Sequence, residues 1–202
     1  MSAALPEVAT GRLRLRLARA GMAEAMAAFL RSNWEGHLER WSPPVGPGFF
    51  EPGFWRERLA RAGEELAAGS AARFVLQAPG PETGPVLGTC NYTNIVRGPF
   101  QACYLGYQID RGHEGRGLMR EALGALNEFA FRELRLHRIM ANYRPENGRS
   151  ARLLERLGFV REGLARDYLF IDGAWRDHVL TALANPGFDP VGIEVPGRAP
   201  RA

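Results

Sequence analysis

The 202-residue sequence contains no lysine, so all 26 of its Lys and Arg residues are arginines. Its side-chain positive charge therefore cannot titrate near neutral pH or be removed by acetylation of a lysine. There are only two cysteines, Cys90 and Cys103, which form neither a metal motif nor a disulfide framework. Both lie in predicted strands, where a free thiol packs as a small apolar side chain. No His, Cys or carboxylate cluster has metal-ligand spacing, so we expect no metal.

Long apolar runs are also missing from the sequence. No stretch reaches the roughly 18 apolar residues that a membrane span requires. The N-terminal segment contains Glu7 and lacks the apolar core of a signal sequence. We therefore expect a cytoplasmic protein that does not contact a membrane. No nucleic-acid-binding motif is present, and the modest net charge of +4 suits an anionic small ligand or solvated helix faces.

Length and composition favour one domain. With 46% hydrophobic residues, the chain can bury a sizeable core, and no internal repeat marks a boundary. We predict a single domain over residues 1–184 and a loosely held tail over residues 185–202, which contains four prolines.

The pattern of apolar residues predicts alternating strands and helices. Strict alternation over 12–17 predicts the first strand, with its leucines on one face. Helical spacing predicts one helix over 22–41 and another over 55–66. The later predicted elements are strands over 73–77, 86–95, 102–109, 137–143, 159–171 and 175–183, and helices over 118–134 and 148–157. The dipeptide Asp172-Gly173 predicts a type I′ hairpin turn.

A glycine-rich loop joins the strand over 102–109 to the helix that follows it. Glycines 112, 115 and 117 allow sharp turns and leave amide N–H groups at the helix N-terminus free to bind an anion. Leu118 stands where a nucleotide-triphosphatase loop requires lysine, and Arg120 replaces the third glycine of a dinucleotide motif. The spacing therefore predicts a phosphate-binding loop of another class.

This loop, entered from a strand rich in Tyr and Ile, resembles the pyrophosphate loop of the GNAT acyltransferases. The resemblance runs from about residue 92 to 183 and follows the RimJ/RimL branch, RimJ-type chains most closely. The segments that carry it are 94–98, 102–107, 115–119, 137–143, 157–159, 167–169 and 171–180. It implies an α+β fold with a mixed, mostly antiparallel central sheet of about seven strands, helices on both faces, and a splay between strands 4 and 5.

The same resemblance implies an N-acetyltransferase. The acetyl group would move from acetyl-CoA to the N-terminal α-amino group of a protein, by direct attack of the neutral amine on the thioester. A ribosomal protein that begins in alanine is the usual acceptor of the RimJ branch. Two alternatives stay open: acetylation of a small molecule or antibiotic, and a CoA-binding ribosome-assembly factor with dispensable catalysis. The sequence also leaves both a monomer and a homodimer open.

Cofactor-binding residues are predicted from the same match. A strand edge without a neighbour can pair with the amides of the pantetheine arm. The predicted residues are Tyr107, Gln108, Ile109, Gly112, Gly115, Arg116, Gly117, Leu118, Met119, Asn147 and Ser150. Gly112 is a departure, because the family pattern has Gln or Arg there, and Arg111 is the candidate replacement for that phosphate contact.

Ser150 and Asn142 are the catalytic candidates that the resemblance implies. Many GNAT enzymes protonate the departing thiolate with a tyrosine at the position of Leu154. Ser150 lies one turn earlier on the same helical face, and RimJ/RimL chains carry serine there. Asn147 is the predicted N-cap of this helix.

The route by which the acceptor amine loses its proton stays open at this stage. An α-amino group titrates near ~7.7–8, so roughly a tenth is neutral at pH 7 and a water relay could suffice. Glu162, Asp167 and Asp177 are candidate bases or ammonium-binding groups, and each also suits a surface ion pair. The residues predicted to contact the acceptor are Trp34, His37, Trp41, Tyr143, Asp167 and His178.

Overall fold

The computed structural model describes residues 5–191 and residue 193, which build one eight-stranded sheet and its flanking helices. The strands are β1 (Glu7–Ala9), β2 (Arg14–Leu17), β3 (Ala72–Gln77), β4 (Gly88–Val96), β5 (Ala102–Ile109), β6 (Arg138–Tyr143), β7 (Val160–Ile171) and β8 (Ala174–Ala184). The α-helices are α1 (Ala23–Asn33), α2 (Pro52–Ala60), α3 (Ala62–Ala67), α4 (Leu118–Arg132) and α5 (Gly148–Arg156). Short helical turns cover Ala20–Met22, Trp34–Leu38, Glu39–Trp41 and Arg111–His113.

The sheet is mixed and mostly antiparallel, as predicted. Its strand order is β1-β2-β3-β4-β5-β6-β8-β7, and only β5 and β6 run parallel. These two strands pair only near their starts, from Ala102 with Arg138 to Tyr104 with Met140. Beyond Tyr104 they separate, which confirms the predicted splay between strands 4 and 5; the strands count as fifth and sixth here because β1 adds one.

Strand β1 is the element that the sequence did not reveal. It spans three residues, too few for an alternating pattern to be recognised. The strand predicted over residues 12–17 is present as β2, but it is the second strand of the chain, so the prediction that it is the first is wrong. Arg16 on β2 is only 8% exposed, and its guanidinium donates to Glu7 of β1 at 2.9 Å and to Gln77 of β3 at 2.9 Å.

The helix predicted over 22–41 is interrupted. Helix α1 ends at Asn33, after which Glu35 is extended, with ψ of 126°, and Gly36 has φ of 67°. Glycine accepts this left-handed conformation without the penalty of a Cβ. The helix predicted over 55–66 is likewise two helices, α2 and α3.

Two apolar cores lie on opposite faces of the sheet. On β3, Phe74 and Leu76 pack with Leu123 of α4, whereas Val75 between them packs with Met26 of α1. Successive side chains of a strand point to opposite faces, so α4 and α1 cover different sides of the sheet. Helix α5 joins the first core through Leu154. We call these two sides the α4 face and the α1 face.

The last two strands form the predicted hairpin. Asp172 and Gly173 have φ of 52° and 70°, as a type I′ turn requires. The pairing of β7 with β8 shifts register between Ala165 and Leu169, where Asp167 has φ of 48°. This β-bulge changes which way the β7 side chains point.

Strand β8 ends at Ala184, where the predicted domain boundary lies. Asn185 then donates its backbone N–H to the His137 carbonyl at 2.8 Å, and the Phe188 ring packs edge-on against His137. Residues 192 and 194–202 of the predicted tail lie outside the described residues, so the division of the chain stays a prediction. In the part that is described, no helix has the length and apolar character needed to cross a bilayer.

Candidate functional site

The splay between β5 and β6 opens a cleft of ≈ 1340 Å³. It runs from the N-terminal turns of α4 and α5, past the free edge of β5, to the segment between α1 and α2. The predicted site residues that line it are His37, Trp41, Tyr107, Gln108, Ile109, Gly115, Gly117, Leu118, Met119, Asn142, Tyr143, Asn147, Ser150 and His178. The fold thus gathers most of the predicted site in one place.

Four predicted residues are not on the cleft wall. The Trp34 ring packs edge-on against Phe49 at 5.1 Å, in the α1-face core. Gly112 donates its N–H to Asp110, and Arg116 turns its carbonyl to the Arg12 guanidinium at 2.9 Å. The remaining one is Asp167, which is exposed in the β7 bulge. Acceptor contacts from Trp34 and Asp167, and an amide contact from Gly112, are therefore not supported.

Asp110 organises the start of the glycine loop. Its carboxylate accepts hydrogen bonds from the Gly112 N–H, the His113 ring and the Asn33 amide, each at 2.8 Å. Burial opposes ionisation, but these hydrogen bonds together lower the pKa of Asp110. The loop is thus held by a fixed carboxylate at its N-terminal end.

Asn33, which the sequence gave no reason to single out, joins this loop to α1. The side chain is fully buried; its oxygen accepts the Arg111 N–H at 2.8 Å while its amide donates to Asp110. The Arg111 guanidinium donates to the Glu35 carbonyl at 2.9 Å. The end of α1 and the glycine loop therefore form one connected unit.

The second half of the loop has the backbone geometry of an anion-binding site. Gly115 and Gly117 have φ of 73° and 75°, and Gly117 immediately precedes α4. No side chain of the described residues caps the first N–H groups of this 15-residue helix. Free N–H groups and the positive end of the helix dipole favour a phosphate there.

Arginines add positive charge along this end of the cleft. Those that line it are Arg111, Arg120, Arg149, Arg152 and Arg156. Arg149, whose side chain is 71% exposed, is ion-paired with Glu114. Such an exposed pair contributes little stability, so it can rearrange when an anionic ligand binds.

Tyr107 and Ser150 meet on the α4 face. Tyr107 follows Leu105 by two residues and packs against the same core, while Ser150 lies in the first turn of α5. The two hydroxyl oxygens are 2.5 Å apart. Burial raises the pKa of the Tyr107 phenol, although the hydrogen bond to Ser150 opposes the shift. The cleft thus contains a protonated hydroxyl pair.

The predicted cap of α5 is confirmed. The Asn147 side-chain oxygen accepts the Ser150 N–H at 3.1 Å, and Gly158 after the helix has φ of 85°. The cap holds Ser150 at the helix N-terminus, where its hydroxyl reaches the cleft.

Polar side chains from the other strands lie on the α1 face. Tyr143 and its β8 partner Val179 are on the α4 side, because Tyr143 packs with that core. The neighbouring Asn142 and His178 must then point to the α1 face. Gln108 of β5 does so as well, and donates to the Ser42 hydroxyl at 3.2 Å. The α4 face of the splay therefore presents a pair of hydroxyl groups, and the α1 face presents amide and imidazole groups.

Tyr168 extends this polar group, and the sequence did not identify it. The Asn142 amide donates to its hydroxyl at 3.1 Å, and its ring lies 5.5 Å from the His178 ring. Burial and the neighbouring Tyr104 raise the pKa of Tyr168. Strand alternation could not have predicted this contact, because the bulge before Leu169 breaks it.

The segment between α1 and α2 forms one wall of the cleft and is hydrogen-bonded to both sides of the splay, at the ends of β5 and β6. His37 donates from Nε2 to the Ile109 carbonyl of β5 at 3.1 Å. Arg144, just after β6, donates to the Arg40 carbonyl at 2.6 Å and lies 5.5 Å from the Trp41 ring. Arg144 is only 8% exposed and lines the cleft. The sequence offered no signal for this residue.

The two cysteines are buried free thiols, away from any metal-like cluster. Burial raises the pKa of Cys103 to about 12 and raises that of Cys90 as well. In the residues that the structure describes, no group of three or more His, Cys, Asp and Glu side chains could hold a metal ion.

Comparison with known proteins gives a consistent result. The sequence model of the acetyltransferase (GNAT) domain matches residues 12–160. A [ribosomal protein uS5]-alanine N-acetyltransferase of Escherichia coli is 45% identical over 181 residues, which is 90% of this chain and 92% of that protein.

Solved structures show the same similarity. The crystal structure of ribosomal-protein-S5-alanine acetyltransferase from Vibrio fischeri superposes with a TM-score of 0.86 at 36% identity, covering 92% of this chain and all (100%) of that one. Mycobacterium smegmatis RimJ in complex with CoA-disulfide superposes with a TM-score of 0.72 at 31% identity, covering 85% of this chain and 81% of that one.

Proposed function

The chain belongs to the GNAT acetyltransferase family, and we propose that it transfers acetyl from acetyl-CoA to the α-amino group of a protein N-terminus, with a ribosomal protein that begins in alanine as acceptor. The observation that carries the proposal is the two-sided splay. The start of α4 and a hydroxyl pair lie toward the α4 face of the cleft, and polar side chains of the same cleft lie toward the α1 face. The 45% identity to a uS5-alanine N-acetyltransferase supports this acceptor class.

The described residues fit acetyl-CoA, which supplies the activated acetyl thioester when bound. The N–H groups at the start of α4, with Gly115 and Gly117, would hold the diphosphate. The free edge of β5 at residues 107–109 would pair with the amides of the pantetheine arm. The thioester would then lie at the splay, between the two faces.

Ser150 and Tyr107 would supply the proton that the departing thiolate needs. Ser150 is the nearer candidate donor because it stands at the α5 N-terminus, and Tyr107 can replace its proton across the 2.5 Å hydrogen bond. A phenol whose pKa is raised remains protonated throughout the neutral range.

The α1 face suits an acceptor that is a chain terminus. Trp41, His37 and Gln108 line the cleft, where they would contact an extended peptide. An α-amine titrates ~2.5 pH units below a lysine side chain, so it supplies far more neutral nucleophile at pH 7. The proposal also places the protein in the cytoplasm, where an unassembled ribosomal protein would be met.

The test uses three matched peptides. One copies the N-terminus of ribosomal protein uS5 beginning in alanine, one is the same peptide with its terminus blocked, and one is the blocked peptide with an internal lysine. We expect acetylation of the first alone. Acetylation of the lysine, or a higher kcat/KM for a small amine or antibiotic in a parallel screen, would contradict the proposed acceptor.

A cellular arm separates the enzyme from an assembly factor with dispensable catalysis. Ser150→Ala should strongly reduce acetylation of the ribosomal protein in cells, in line with a loss of about 10²-fold in kcat, while the protein itself accumulates normally. If a growth or assembly defect of the deletion strain is fully rescued by this variant without acetylation, the assembly role is the correct one.

A further inference from the structure

We propose that His178 is the general base that removes the proton from the acceptor amine. This inference deepens the proposed function, because it rests on transfer of acetyl to an α-amine. The position of the His178 ring on β8 fixes which of the two ring nitrogens can accept a proton.

The hydrogen bond at Nδ1 fixes the tautomer. His178 Nδ1 lies 3.0 Å from the Arg176 carbonyl oxygen. A carbonyl can only accept, so Nδ1 carries the hydrogen and Nε2 of the neutral ring carries the lone pair. Among the residues that the structure describes, none forms a hydrogen bond with Nε2. The ring is only 4% exposed and lines the cleft, so its free nitrogen belongs to the site.

The position on the sheet is the one that a base for the acceptor needs. His178 shares the α1 face with Asn142, opposite the side on which Tyr107 meets Ser150. A base on the α1 face can therefore act on the acceptor amine while an acid on the α4 face acts on the departing sulfur. Because the sheet lies between them, the two groups do not exchange a proton with each other. Tyr168 packs against the ring at 5.5 Å, and its hydroxyl accepts a 3.1 Å hydrogen bond from Asn142.

Two of the candidate carboxylates are paired with other groups. Asp177 accepts the Asp167 N–H at 3.0 Å and is ion-paired with Arg166, and both contacts lower its pKa. Glu162 is ion-paired with Arg138. The lowered pKa makes the Asp177 carboxylate a weak base, and none of Glu162, Asp167 and Asp177 lines the cleft.

The other histidines are also engaged. His37 donates from Nε2 to the Ile109 carbonyl, and His113 is bound to Asp110. The first bond joins the wall to β5, and the second holds the glycine loop. All three histidines that line the cleft in the described chain thus use one ring nitrogen in a protein hydrogen bond, and His178 is the one that is buried and shares the α1 face with Asn142.

The proton and electron balance is complete with these residues. His178 Nε2 first accepts one proton from the bound ammonium, which leaves a neutral amine. A C–N bond then forms between that nitrogen and the acetyl carbon, and the nitrogen releases its second proton to solvent. The C–S bond breaks, Ser150 donates a proton to sulfur, and Tyr107 restores the Ser150 hydroxyl. The imidazolium then releases its proton to solvent, and Tyr107 takes one up.

The experiment compares His178→Asn with the wild-type enzyme on the alanine peptide. The asparagine amide keeps a donor where Nδ1 stands and removes the lone pair of Nε2. We measure kcat/KM between about pH 6 and 9.5, a range that brackets the α-amino pKa of ~7.7–8. The expected loss is on the order of 10²-fold at pH 7. The loss should shrink above pH ~8, where solvent alone supplies the neutral amine.

Two controls keep the result interpretable. His178→Gln, which places an amide near Nε2, should show the same pH-dependent loss, and it replaces the asparagine variant if that one does not fold. The CoA dissociation constant should be unchanged in both. Of the titratable groups, Tyr168 on β7 and Asp177 on β8 adjoin the ring, and Arg144 and His37 line the same cleft. Tyr168→Phe should keep the shape of the pH profile.

The outcomes separate this inference from the proposed function. A loss of equal size at every pH means that His178 only positions other groups, and unchanged kcat/KM means that it has no part in the reaction; either result overturns the proposal. If the wild-type enzyme acetylates no α-amine, the proposed function itself fails before the variants are compared.

Discussion

The Tyr107 hydroxyl lies 2.5 Å from the Ser150 hydroxyl, although the two residues are 43 positions apart in the chain. Tyr107 belongs to β5 and Ser150 to α5, so the hydrogen bond closes the α4 face of the splay. Because burial raises the pKa of the phenol, the pair keeps its protons under conditions where a free tyrosine begins to ionise. The two residues should therefore act as one proton donor.

This pairing predicts a non-additive double-mutant cycle. Ser150→Ala and Tyr107→Phe should each lower kcat by about 10²-fold, and the double variant should be hardly worse than either one. The CoA dissociation constant should change much less than kcat. Calorimetry and steady-state kinetics on the three variants check this. Losses that multiply in the double variant would show two independent roles.

The two residues also illustrate what the sequence could and could not predict. Strand β5 and its glycine loop were predicted because alternation, turn glycines and the helix start agree over one short segment. The Asn147 cap and the Asp172-Gly173 turn are equally local. The contact of Tyr107 with Ser150 depends on how β5 and α5 meet across the sheet, and no local pattern encodes that.

Local exceptions account for most of the errors. Gly36 breaks a helix whose apolar spacing continues on both sides of it, so periodicity alone joined two segments. The β7 bulge turned Tyr168 toward Asn142 and left Asp167 exposed. In both places one residue with positive φ changes the direction of the side chains that follow. The residue types around it give no sequence signal from which this change could be predicted.

Asp110 makes the stability of the glycine loop depend on pH. Its pKa is lowered in the folded protein, so the unfolded chain binds a proton first as the pH falls. The carboxylate contributes stability above its unfolded pKa of ~3.9, and that contribution is lost as the pH falls through the lower, folded value. Asp110→Asn should cost about 1–3 kcal/mol at pH 7 and much less near pH ~3. Urea unfolding at both pH values measures the difference.

Gly117 should tolerate no side chain, whereas a nearby helical glycine should. At φ of 75°, Gly117→Ala costs about 1–2 kcal/mol and disturbs the first N–H groups of α4, so CoA binding should weaken as well. Gly124 lies inside α4, and nothing lies within 4 Å of an added Cβ. Gly124→Ala should therefore stabilise the protein by up to about 1 kcal/mol with CoA binding unchanged. Equal effects of the two substitutions on CoA binding would contradict an anion site at the helix start.

Arg144 should control the acceptor and not the cofactor. Its guanidinium fixes the Arg40 carbonyl, and so the Trp41 wall, to the end of β6. Arg144→Met keeps an apolar side chain of similar length but removes that hydrogen bond and the Glu146 ion pair. We expect the peptide KM to rise by about tenfold, which corresponds to about 1.4 kcal/mol of lost binding, while the CoA dissociation constant is retained.

The control for Arg144 is an arginine with an exposed ion pair. Arg132 pairs with Glu128 on α4, where both side chains are largely exposed, so Arg132→Met should change neither KM nor the free energy of unfolding by more than about 0.5 kcal/mol. A KM that rises equally in both variants would mean that general loss of positive charge weakens peptide binding. A rise confined to Arg144→Met means that the position of the Trp41 wall determines how well the acceptor binds. Only that variant loses the hydrogen bond that joins the wall to the end of β6.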